Sequence, residues 1–239
     1  MSRILVVDDE PVILEVTKRV SEMLGIETAL CTDAPGALDV FKAGTFDAVL
    51  SDLMLTRSSG LSLMSELLKL RPDLPVAIMT GYATFSHALQ AFSGGAFDFL
   101  PKPFDPAELK GVLLRLVNFS SRADVPAGAR LLGQHAWALR EGDTVKTGPG
   151  PAFSSLLPAI TSVEYQKVGA LITRGEALLR MHQEPGGIIH TLWSPLSGRI
   201  VENNVSLSGR AGSGLDWLSR IQPTDLESEW GELSASKEC

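Results

Sequence analysis

Four apolar runs in the first half of this chain each stop at a polar residue: Val7 at Asp8-Asp9, Ser51 at Asp52, Met79 at Thr80, and Leu100-Pro101 at Lys102. The candidate strands are Ile4–Val7, Thr28–Leu30, Phe46–Ser51, Val76–Thr80 and Phe97–Leu100. Stretches of helical period lie between them. Ile13, Val16, Val20 and Met23 follow Pro11, a good first-turn residue, and Leu61, Met64, Leu67 and Leu68 follow Gly60. His87, Leu89 and Phe92 mark a fourth helix, and Leu109, Leu113, Leu116 and Val117 a fifth. Strands alternating with helices build a parallel sheet covered on both faces. All strand C-termini of such a sheet share an edge, where ligands gather. Residues 1–119 are therefore expected to form a doubly wound, five-stranded α/β domain that brings Asp8, Asp9, Asp52, Thr80 and Lys102 to one cleft.

The chemistry of that grouping is specific. An acidic pair alone is usually a solvated loop or a helix cap, but four coincident strand ends argue for a site. Carboxylates crowded together repel, and a divalent cation relieves the repulsion; hard oxygen ligands suit Mg²⁺. The ammonium of Lys102 and the ion would neutralise an incoming phosphoryl group. A carboxylate oxygen of Asp52 is then free to attack phosphorus, with the Thr80 hydroxyl as a donor to the phosphoryl oxygens.

Charge and composition exclude several classes. The net charge is −7, and the part from residue 124 onward carries 10 Lys/Arg against 13 Asp/Glu. Neither half has the basic footprint of phosphate neutralisation, so DNA is not an expected partner. Cys31 and Cys239 make no disulfide framework and read as reduced thiols, which places the chain in the cytoplasm. The apolar run at the N-terminus is too short for a signal peptide, and no stretch is long enough to span a bilayer, so no membrane is expected.

After residue 119 the pattern changes. Residues 120–129 lose periodicity and read as a linker. From 130 to 239, short β-type runs are punctuated by Gly and Pro: Ala136–Leu139, Thr144–Thr147, Lys167–Ile172, Ala177–His182, Ile188–Trp193, Arg199–Val201 and Trp217–Ile221. That texture predicts a small all-β sandwich or barrel. His182 and His190 read as strand histidines, since no Cys or carboxylate cluster completes a metal site. Residues 209–214, rich in Gly, lack the ending of a phosphate cradle and read as a loop. No Ser-His-Asp or Cys-His spacing supports an enzyme.

Residues 1–119 resemble the receiver domain of two-component response regulators, a flavodoxin-like fold. The matching runs are Ile4-Leu5-Val6-Val7-Asp8-Asp9-Glu10, Ser51-Asp52-Leu53-Met54, Met79-Thr80-Gly81-Tyr82 and Leu100-Pro101-Lys102-Pro103-Phe104. The resemblance implies Asp52 as phosphoacceptor, Asp9 as a direct Mg²⁺ ligand and Asp8 as one through water. It also implies the backbone carbonyl of Met54 as a further ligand, Lys102 as the phosphate partner and a cis bond before Pro103. Thr80 belongs to the switch, and Phe99 stands at the rotating aromatic position, with plain core as the equal alternative. Met54 and Tyr82 are expected to obstruct the hydrolytic water.

Residues 130 to 233 resemble the glycine cleavage H-protein, a lipoyl-like fold. The resemblance rests on His135-Ala136-Trp137-Ala138-Leu139 with Glu141-Gly142-Asp143-Thr144-Val145, on Trp193-Ser194-Pro195-Leu196-Ser197-Gly198-Arg199-Ile200-Val201-Glu202, and on Gly214, Trp217-Leu218, Ile221, Pro223 and Asp225. The family's lipoyl lysine falls on Gly187, and the lysines beyond the linker (Lys146, Lys167, Lys237) are distant in sequence. No lipoate is expected. The two resemblances together imply a regulator phosphorylated on Asp52 by a sensor histidine kinase, acting on an unknown protein target through an H-protein-like module. Coupling runs either through homodimerisation on phosphorylation or through release of the second domain. The alternative is a phosphorylation-controlled decoy or regulator of glycine-cleavage or lipoate-handling enzymes.

Overall fold

The computed structural model describes residues 1–56, 58–81, 90–119, 125–205 and 216–235. The chain divides into two compact units, Met1–Val117 and Asn118–Cys239.

In the first unit, strands β1 (Arg3–Val7), β2 (Glu27–Cys31), β3 (Ala48–Asp52), β6 (Val76–Thr80) and β7 (Asp98–Pro101) form a five-stranded sheet ordered β2-β1-β3-β6-β7. Every pairing is parallel. Burial on both faces explains the composition: Ile4 to Val7 and Val76 to Met79 are fully buried. Strand order reverses between β1 and β3, and a doubly wound sheet opens its crevice at such a point. Asp8 and Asp52 stand at those two strand ends.

Helix boundaries follow local chemistry. Helix α1 (Pro11–Met23) starts on Pro11, and Glu10 at its N-cap makes no capping bond with its side chain. Helix α2 (Ala34–Ala43), which apolar spacing did not single out, is capped by Asp33, whose carboxylate accepts from the Gly36 N–H. A two-stranded ribbon of β4 (Met54–Leu55) and β5 (Ser58–Ser59) leads into α3 (Gly60–Leu70). A Cβ on Gly60 would stand 2.0 Å from the Asp52 carbonyl oxygen, so only glycine lets α3 start this close to the end of β3. Helix α4 (Pro106–Val117) opens with a capping box: Asp105 Oδ1 accepts from the N–H groups of Ala107 and Glu108, and Glu108 accepts from the Asp105 N–H. Expected strand residue Phe46 lies before β3, stacked on Phe41, because Asp47 exchanges two hydrogen bonds with Arg3 and sets the strand start. Of the expected fourth helix, residues 90–93 are helical; His87 and Leu89 lie outside the described residues.

The second unit holds two antiparallel sheets. The larger orders β12 (Leu171–Ile172), β15 (Gly198–Asn203), β16 (Ser219–Pro223), β10 (Thr144–Pro149), β9 (Ala136–Glu141), β8 (Arg130–Leu132) and β17 (Ser234–Ala235). The smaller orders β11 (Ser162–Tyr165), β13 (Ala177–Gln183) and β14 (Ile188–Trp193). Trp137, Val145, Leu178, Leu192, Ile200 and Ile221 are buried in this unit. A Cβ on Gly148 would meet the Trp137 ring at 2.3 Å, so that glycine makes room for the indole. The long strand expected over Lys167–Ile172 shrinks to two residues, because Gly169 takes φ +91° and turns the chain. A short helix, α5 (Leu226–Gly231), follows β16 and is capped by Asp225. The first half of the expected linker, residues 120–124, and the loop at 209–214 lie outside the described residues. No helix among the described residues is long and apolar enough to cross a membrane.

Candidate functional site

At the C-terminal edge of the parallel sheet, Lys102 reaches from the end of β7 into a cluster of acids. Its Nζ lies 2.8 Å from Asp8 Oδ2, 3.0 Å from Glu10 Oε1 and 3.4 Å from Asp52 Oδ2. Asp8 is fully buried and Asp52 is 5% exposed. Three carboxylates, from Asp8, Glu10 and Asp52, offer oxygens within 4.8 Å of one another. The Glu10 N–H donates to Asp8 Oδ1 at 2.9 Å, which turns that carboxylate across the site. The Lys102-Pro103 bond is cis.

Electrostatics are uneven. Burial pushes the Asp52 carboxyl above the usual carboxylate range, and the charge of Lys102 offsets part of that. Asp8 is raised for the same reason, with the Lys102 hydrogen bond pulling the other way. For Lys102, burial alone would lower the ammonium; its bonds to Asp8 and Glu10 outweigh this and raise it. Asp52 Oδ1 is buried and has no hydrogen-bond partner among the described residues. A buried carboxylate oxygen left over, beside two further carboxylates, fits a small divalent cation with hard oxygen ligands.

The structure brings Asp8, Asp52 and Lys102 together as the sequence predicts, and adds Glu10. With its side chain released from capping, Glu10 swings to the lysine; that missing cap is not visible in sequence. Asp9 stands apart from the three-carboxylate group, and the Thr56 hydroxyl donates to its carboxylate. Thr80 is buried at the end of β6, and its carbonyl accepts from the Lys102 N–H at 2.7 Å. Met54 lies in β4 with an exposed side chain. Phe99 is buried on β7, paired with Ile78. Tyr82 lies outside the described residues.

A family model described as the response regulator receiver domain matches residues 4–114. Residues 4–114 are a response regulator receiver domain. Receiver domains bind Mg²⁺ at an acidic pocket, which here is the Asp8, Glu10 and Asp52 cluster. The receiver is similar to the response regulator protein PilR of Pseudomonas aeruginosa, 35% identical over 133 residues, 54% of this chain and 30% of that protein. The DNA-binding transcriptional regulator NtrC of Rhizobium meliloti is 36% identical over 139 residues, 56% of this chain and 29% of that protein. The crystal structure of the receiver domain of NtrX from Brucella abortus is 35% identical, covering 49% of this chain and 99% of that one with a TM-score of 0.47. The match thus spans about 30% of the length of these curated relatives.

The relatives overturn one expectation. The acidic charge balance argues against DNA as a partner, yet NtrC of Rhizobium meliloti and NtrC of Escherichia coli are both named DNA-binding transcriptional regulators. The exclusion failed because a charge balance averaged over half a chain reports neither a local basic face nor the class of response a receiver controls.

In the second unit, Gly187 sits at the tip of the β13–β14 hairpin with φ +55°, and nothing lies within 4 Å of where its Cβ would be. His182 lies 3.6 Å from Glu164, and His190 is buried with Nε2 3.2 Å from Gln183 Oε1. Neither histidine joins a three-ligand group among the described residues.

Proposed function

We propose that the chain is a two-component response regulator in which Asp52 takes a phosphoryl group from a histidine kinase. The observation that carries this reading is the Asp52 carboxylate, buried beside Lys102 with one oxygen unclaimed among the described residues. A carboxylate oxygen of Asp52 forms the new P–O bond as the P–N bond to the kinase imidazole breaks, and the bonding pair leaves with the imidazole nitrogen. Lys102 neutralises the phosphoryl oxygens, and Thr80 donates its hydroxyl to one of them. Asp8, Glu10 and Asp52 would hold Mg²⁺, with Asp9 joining after giving up Thr56; the ion supplies charge neutralisation at the phosphoryl group. Incubated with acetyl phosphate and Mg²⁺, the protein gains one phosphoryl group by intact mass, and Asp52→Asn gains none. Phosphorylation of that variant would sink the assignment.

The output is proposed to lie in the second unit, read as an H-protein-like module without its acyl lysine. Its support is the open glycine at the tip of the β13–β14 hairpin, where the resemblance puts the lysine. The names of the relatives bring DNA-binding transcriptional control to the same proposal. Capture from cell extract with beryllofluoride-treated protein against Asp52→Asn, scoring co-purified DNA and proteins together, separates the outputs. Enriched glycine-cleavage or lipoate-handling enzymes would favour the decoy reading, and enriched promoter DNA the transcriptional one.

A further inference from the structure

The second unit contains a deeply buried cation. Arg174, in the turn between β12 and β13, is 2% exposed, and its Nε has no acceptor among the described residues. Its Nη1 is paired with Glu232, whose side chain is 57% exposed. Next to it, the turn before β15 presents a second set of donors. The Ser197 hydroxyl lies 2.6 Å from Glu229 Oε1 and the Ser197 N–H lies 2.7 Å from Glu229 Oε2, a two-point grip on one carboxylate. Ser197 Oγ in turn accepts from the Arg174 N–H at 2.9 Å, so both donors are held in one frame.

Both carboxylates come from one short segment. Helix α5 carries Glu229, and Glu232 follows it; the helix buries none of its own residues. It is held by Glu229 and Glu232, by the Trp230 carbonyl accepting from Arg130 at 2.7 Å, and by the Arg130 guanidinium over the Trp230 ring. Beyond it, Leu233 is buried and β17 pairs with β8 over two residues. A guanidinium of this burial is strongly driven to keep a carboxylate, while the helix itself buries no residue of its own. Charge-assisted and bidentate bonds are the strong ones, and here they are made by the acidic groups rather than by an apolar face.

We propose that Arg174 and Ser197 form a carboxylate-binding site for acidic peptides, which α5 occupies in cis as a strap. A partner segment with two carboxylates spaced as Glu229 and Glu232 displaces the strap and takes its bonds. The inference stands apart from phosphorylation of the receiver. It is tested on the full chain with a fluorescein-labelled peptide of residues 224–235 as the probe, followed by anisotropy. The self-occupied wild type binds weakly. Glu229→Gln with Glu232→Gln, which neutralises the strap, binds the peptide at least about tenfold more tightly, a factor equal to about 1.4 kcal/mol. Adding Ser197→Ala, which leaves the buried arginine and its fold in place, weakens that binding several-fold; adding Arg174→Gln abolishes it. Equal binding by wild type and the double variant overturns the proposal, and so does tight binding that survives Ser197→Ala. A probe peptide with both glutamates changed to glutamine binds no variant; if it binds as the acidic one does, carboxylate recognition is excluded.

Discussion

Asp52 is held in conflict: the phosphoacceptor role proposed for it needs the ionised form, and its burial favours the neutral one. A carboxyl raised above its unfolded value binds protons more readily in the folded state, so its favourable contribution is present below the unfolded pKa and is lost as pH rises through the folded pKa. At neutral pH the native acid therefore costs stability, and Asp8 adds to the cost. Asp52→Asn should melt several degrees above wild type at pH 7, with the gap closing as pH falls toward about 4, the unfolded Asp range; about 1 kcal/mol moves the Tm of a domain this size by roughly 4 °C. Mg²⁺ should raise the wild-type Tm and leave the variant nearly unmoved. Equal melting at pH 7 would show that the pocket relieves the carboxylate by other means. Glu10 belongs to the same account. Sequence shows an acid beside an acidic pair, but only the structure shows that its side chain pairs with Lys102 instead of capping α1.

At the scale of elements, two contacts fix how the sheet presents the site. Gly60 lets α3 begin against the Asp52 carbonyl, with no space for one more carbon. Gly60→Ala should cost about 1–3 kcal/mol, the usual cost of overpacking, and should slow phosphorylation by acetyl phosphate, since the end of β3 must move. Retained rate and stability would mean that α3 shifts freely. On the other side of the sheet, Arg115 of α4 pairs with Asp98 of β7 at 2.7 Å, with both side chains buried. Arg115→Ala leaves a buried carboxylate behind and should cost about 3–5 kcal/mol in urea unfolding, while Arg115→Met with Asp98→Leu recovers most of it. These elements were legible in different degrees. Parallel strands announce themselves as apolar runs ended by polar residues, because burial on both faces removes alternation. Helix α2 hides because Ala37, Val40 and Phe41 make a thin stripe and its start rests on the Asp33 cap. Strands β8, β11 and β17 hide because two to four residues carry too little period, and β17 finds its partner β8 about a hundred residues earlier.

The molecule joins a unit whose site is legible in sequence to a unit whose role is not. Four receiver strand ends declare a chemistry, whereas the β unit declares a texture and one substitution, at Gly187. That residue tests the proposed ancestry of the unit. It stands in the left-handed region, where a side chain costs about 1–2 kcal/mol, but open space surrounds its missing Cβ, so Gly187→Lys should fold with a modest loss of Tm. If the unit has the surface of an H-protein, a lipoate ligase supplied with lipoic acid and ATP should acylate this variant, with an intact-mass gain of one lipoyl group. Wild type should gain none, because Lys146 lies on β10, 22% exposed and paired with Glu141, and Lys167 sits in a turn away from the hairpin tip. Failure of a folded variant to be acylated would mean that the hairpin resembles the carrier in turn chemistry alone. Acylation would mean that the docking surface outlived the arm it served, and that the wild-type unit can meet lipoate-handling enzymes without being acylated by them.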